Sequence, residues 1–90
     1  MNKIDIKEGS NMQVYGYTAI VWKESEGYVS KCPELGVASC GESFEDAVRS
    51  LKEAVELYIE NAKELNIIED LQESLTSKEK FTAHFEATFP

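Results

Sequence analysis

Residues 32–47 read CPELGVASCGESFEDA. Both cysteines, a proline, two glycines and a serine followed by acids fall within this one stretch. It is a metal knuckle, a catalytic loop, or the punctuation of a small fold, and each reading implies a different protein. The backbone chemistry favours punctuation. Pro33 has no amide hydrogen and stops the strand before it. Gly36 and Gly41 free the backbone at two turns, with VASC between them as a short strand. Ser43 then caps a helix: its oxygen can accept from the amide three residues on, and Asp46 can reach back to the Ser43 amide. Glu45 and Asp46 fall in the first turn, where the helix dipole favours carboxylates.

The elements on either side follow outward. Downstream, Ala47, Val48, Leu51, Ala54, Val55, Tyr58, Ile59, Ala62 and Leu65 recur at steps of three and four. They form one apolar stripe along a helix of about six turns, roughly 33 Å at 1.5 Å per residue. Arg49, Lys52, Glu53, Glu56, Glu60, Lys63 and Glu64 make the solvated side, and Asn66 is placed as a left-handed cap. Ile67, Ile68, Leu71 and Leu75 predict a short second helix. FTAHFEATFP, 81–90, alternates strictly, with Phe81, Ala83, Phe85, Ala87 and Phe89 on one face, and predicts a strand. Upstream, GYVSKC reads as a strand joined to VASC through PELG, which puts Cys32 opposite Val37 and Cys40 opposite Val29. QVYGYTAIVW, 13–22, reads as another strand, and KESEG as the turn after it, with Gly27 at a positive φ. Residues 1–11 are read as a flexible arm and 12–90 as a single domain. The class is α+β: a two-layer β-β-β-α-β domain whose mixed four-stranded sheet, in order 3-2-1-4, is packed by one long helix.

That order is also the first part of a ribonuclease-H-like fold, whose enzymes hold two metal ions between carboxylates. Here the first strand has no carboxylate before Glu24 and the last has only Glu86. The central ligand is missing, and no enzyme is expected. No cofactor or metal is expected either, because the cysteine spacing is not that of a zinc knuckle and the two thiols should point to opposite sheet faces. His84 lies on the polar face of its strand with no orienting partner in the sequence. The formal charge is −8, from seventeen acidic and nine basic side chains. Such a field repels nucleic acid and attracts basic partners. No apolar run approaches the ~20 residues that span a bilayer. The first residues lack a signal peptide's apolar core, and two cysteines without such a signal point to a reducing cytoplasm.

The ordered pieces resemble a family, the HicB-like antitoxins. The pattern is an aromatic strand, here YTAIVW; Gly27–Tyr28 opening a strand; Pro33–Glu34–Leu35 followed by Gly36; a small-residue strand; Gly41–Glu42–Ser43; and a helix opening Glu45–Asp46–Ala47. The likeness covers about residues 15–65. It implies a partial ribonuclease H fold without catalytic acids. It further implies that the protein binds and neutralises a small basic RNA-cleaving toxin of the HicA kind by protein–protein contact. Gly27, Tyr28, Pro33, Leu35, Gly36, Gly41, Ser43, Asp46 and Ala47 would then be structural markers of the domain. The family's DNA-binding extension is not expected, because the sequence stops after the last predicted strand, and so no direct DNA contact is expected. The alternative is a stand-alone regulatory or ligand-sensing module. Both faces of the first strand are apolar while one helix covers one face, so a dimer or tetramer is expected.

Overall fold

The computed structural model describes residues 13–90, so the expected arm at 1–11 lies outside the described residues. The elements are β1 (Ile20–Glu24), β2 (Gly27–Cys32), β3 (Val37–Gly41), α1 (Phe44–Glu64), a 3-10 turn (Ile68–Leu71) and α2 (Gln72–Thr76). The three strands form an antiparallel sheet in the order β1-β2-β3, and α1 lies across one face. The protein is thus a small α+β fold.

The register follows from the two turns. Glu24 pairs with Gly27 across a two-residue connection. Gly27 has φ +151°, and a Cβ there would meet the Gly41 carbonyl oxygen at 2.8 Å. At the other end Cys32 pairs with Val37 and Val29 with Cys40, as the length of PELG predicts. The Gly36 amide donates to the Cys32 carbonyl at 2.8 Å, closing the turn with Gly36 at φ +72°. Gly41 works differently from expectation. A Cβ on it would stand 2.5 Å from the Ala47 amide nitrogen, so its part is to let β3 approach the first turn of α1, not to supply an unusual φ.

Helix α1 begins as the sequence predicts. The Asp46 amide donates to Ser43 Oγ at 3.1 Å. The reciprocal contact is replaced, however: the Asp46 carboxylate accepts from Arg49 at 2.9 Å. The helix ends in a Schellman motif, with Asn66 at φ +60°, the Ile67 amide on the Ala62 carbonyl at 2.9 Å and the Asn66 amide on the Lys63 carbonyl at 3.1 Å. Its stripe buries Ala47, Leu51, Val55 and Ala62. Cys32, Leu51 and Val55 form the core, with Tyr17, Leu35, Val37 and Ile59 packed around them. Full burial of a side chain such as Leu51 or Val55 contributes about 1.5–3 kcal/mol. Ser30 is buried on the central strand, and its hydroxyl donates to the Ala47 carbonyl at 2.8 Å, which ties sheet to helix.

Two expectations are corrected. The first strand starts at Ile20, not Gln13. Opposite Ile20 the partner strand is about to end, because Pro33 offers no amide to continue the ladder. Upstream backbone is satisfied in other ways: the Gly16 amide donates to the Leu75 carbonyl at 2.7 Å and the Thr18 amide to a Glu34 carboxylate oxygen at 2.9 Å. The second correction concerns 81–90. It forms no strand, and all ten residues are exposed, so the sheet has three strands among the described residues and not the four expected in order 3-2-1-4. An isolated extended segment has no ladder of its own and needs a sheet edge to become a strand.

Candidate functional site

The residues singled out from the sequence fall at the two ends of the β2–β3 hairpin: Gly27, Tyr28, Gly41, Ser43, Asp46 and Ala47 at the end that meets the start of α1, and Pro33, Leu35 and Gly36 in the turn at the other. Gly27, Gly41 and Ala47 are in close backbone approach, Ser43 and Asp46 form the cap, and Leu35 packs on the core. Tyr28 lies under the Lys23 ammonium, 5.2 Å from its ring centre. Pro33 and Gly36 shape the turn. No reactive group is at the centre of this set.

The cysteines are as far from shared chemistry as the pairing requires. Cys32 is buried and Cys40 exposed, and they sit on opposite faces of the sheet. Burial pushes the Cys32 thiol up from its ordinary pKa, which disfavours the reactive thiolate. His84 is 87% exposed, with its Nε2 4.0 Å from the Glu86 carboxylate. Among the described residues no three His, Cys, Asp or Glu side chains converge to hold a metal ion.

One polar cluster escaped the sequence reading. Glu34 carries a carboxylate only 8% exposed, 2.9 Å from the Lys80 ammonium. The Thr18 amide and hydroxyl donate to its two oxygens at 2.9 and 2.8 Å, and the Cys32 thiol donates at 3.4 Å. Burial alone would raise the Glu34 pKa. The Lys80 and Thr18 hydrogen bonds outweigh it and hold the group at about 2. Lys80 also donates to the Gly16 carbonyl at 2.6 Å, so three distant parts of the chain meet at one carboxylate. An acid inside the tight PELG turn was the available signal. Its partners lie 16 and 46 residues away, beyond the reach of local pattern.

What remains open is apolar surface. On the sheet face away from α1, pairing sets Trp22, Val29 and Cys40 in one row and Ile20, Lys31 and Ala38 in the next, so one exposed ammonium stands within an otherwise apolar face. Trp22 and Ile20 are each 41% exposed. The indole NH donates to the Glu24 carboxylate at 2.9 Å, leaving the ring itself uncovered. Around the hairpin, Glu24, Glu26 and Glu42 border an open groove of about 430 Å³. Beyond Lys80, Phe81, Phe85 and Phe89 are 84–88% exposed. A largely apolar open face of this kind, bordered by carboxylates, has the composition of a protein-contact surface.

No family model matches the sequence, and no solved structure matches it. It is similar to the UPF0150 protein ssr1765 of Synechocystis sp., at 47% identity over 51 residues, or 54% of this chain and 65% of that protein. It is also similar to a UPF0150 protein of Helicobacter pylori, at 45% identity over 42 residues, 46% of this chain and 58% of that one. The chain thus spans less than two thirds of the length of these curated relatives.

Proposed function

We propose that this protein is a non-enzymatic binding protein of the HicB-like antitoxin kind, which holds and neutralises a small basic RNA-cleaving toxin of the HicA kind. The observation that carries this reading is the open sheet face, largely apolar apart from Lys31 and bordered by carboxylates, on a chain of formal charge −8. A toxin that attracts RNA presents positive charge, and an acidic partner is steered towards it. The finer fold reading belongs with this proposal: a partial ribonuclease-H-like domain whose fourth strand is supplied by residues 81–90. The residue order over about residues 15–65 supports the family reading, and the strict alternation of 81–90 supports the fourth strand. Helix α1 contributes six acids against three bases to the acidic surface. No helix among the described residues is long and apolar enough to cross a membrane, and the reading places the protein in the cytoplasm.

The test is reconstitution with a HicA-type toxin encoded beside this chain. The toxin's RNA cleavage should stop at equal amounts of the two proteins, and the complex should survive gel filtration. Undiminished cleavage with no complex at tens of micromolar would leave the stand-alone regulatory module as the answer.

A further inference from the structure

Residues 81–90 and the outer edge of β1 present complementary needs. Among the described residues β1 pairs only with β2, so its other edge offers unpaired amides and carbonyls to any extended chain. Segment 81–90 alternates Phe81, Ala83, Phe85, Ala87 and Phe89 with Thr82, His84, Glu86 and Thr88, and all of it is exposed. The pattern is that of a half-buried strand, yet within one chain the segment stands off the sheet.

The root of the segment is fixed. Lys80 is held on the Gly16 carbonyl and the Glu34 carboxylate, at 2.6 and 2.9 Å, beside the backbone that leads into β1. From there nine extended residues reach about 30 Å, against about 17 Å for a five-residue strand. We propose that two copies of this protein exchange these segments, residues 81–89 of each adding as a strand to the free β1 edge of the other. Each chain is then donor and acceptor, the pair is closed by two-fold symmetry, and no β1 edge is left open.

Two observations favour a second copy as occupant. The segment carries one glutamate and one histidine, so it is nearly neutral in a chain of charge −8, and a basic partner would gain little from it. The area also suffices. Six phenylalanine rings from two copies bury roughly 1,000 Å² if each contributes most of its ~200 Å². The added backbone ladders bring the total into the range of stable interfaces, about 1,200–2,000 Å². This inference goes beyond the toxin-binding reading and does not depend on it.

The full chain should sediment at twice 10.1 kDa. The amides of 82–88 should be protected from hydrogen exchange in the dimer and lose that protection on dilution. Isotope-filtered NMR on a mixed labelled and unlabelled sample should show contacts from Phe81, Phe85 and Phe89 to β1 between copies only. Phe85→Asp should weaken the dimer at least about 30-fold while the helical circular dichroism signal is kept, and a chain ended after Lys80 should be monomeric. A monomer in which 82–88 are protected at every concentration would overturn the proposal in favour of closure on the chain's own sheet. A dimer in which 82–88 exchange freely would overturn it equally, as would undiminished dimerisation of Phe85→Asp.

Discussion

Glu34 shows how one side chain can organise a small domain. It is nearly buried, it is charged, and its partners come from Thr18 and Lys80. Its pKa is depressed from 4.5 to about 2, so its contribution is fully present above pH ~4.5 and is lost as pH falls towards 2, about 3 kcal/mol in all. Lys80→Met removes the strongest lowering partner. The variant should be less stable at pH 7, and its deficit should shrink between pH 5 and 2, as read from urea midpoints at each pH. A deficit independent of pH would mean that Lys80 contributes packing alone. Cysteine reactivity offers a second check at this scale. Iodoacetamide should label exposed Cys40 in the folded protein and reach buried Cys32 only on unfolding. Equal labelling of both would contradict the strand register.

At the scale of elements, α1 owes its start to Ser43 and its seat to Gly41. Ser43→Ala should cost about 1 kcal/mol. Glu60→Ala, on the exposed side, is the suitable control and should change little. Lys63 is a poorer control, because its ammonium lies 5.7 Å from the Tyr15 ring centre. Gly41→Ala should cost more than the cap does, about 1–3 kcal/mol or beyond, because the new methyl would meet backbone at 2.5 Å and neither β3 nor the first turn can yield separately. Urea melts of the three variants rank these effects. A Gly41→Ala midpoint equal to wild type would show that strand and helix are not in the contact described. Local chemistry made these elements readable in advance: the cap, the helical stripe, the Asn66 terminus and the PELG turn each depend on residues a few positions apart.

At the scale of the whole molecule, charge and apolar surface divide the work. Acidic side chains on α1 and around the β1–β2 hairpin give a negative field, which in the proposed function steers a basic partner, while the open sheet face and segment 81–90 offer apolar contact. Association with a HicA-type toxin should therefore slow as ionic strength rises through about 0.15 M, where the Debye length is about 8 Å. The proposed self-association should be nearly insensitive to salt, since the exchanged segment is nearly neutral. Stopped-flow association and sedimentation across a salt series separate the two. A toxin on-rate unchanged by salt would remove charge from the argument for that partner.

The sequence by itself determined the order and type of the elements from β1 to α1, the β2–β3 register, the separation of the two thiols, and the limits of α1. All of these rest on short-range rules of backbone chemistry and periodicity. It could not determine where β1 begins, because that depends on where its partner strand is ended by Pro33. It could not reveal the Glu34–Thr18–Lys80 meeting point, which closes over 46 residues. Nor could it determine what 81–90 pairs with. Strict alternation specifies a strand with one apolar face, but a strand exists only beside another, and which edge accepts it is decided by how elements and copies come together in space.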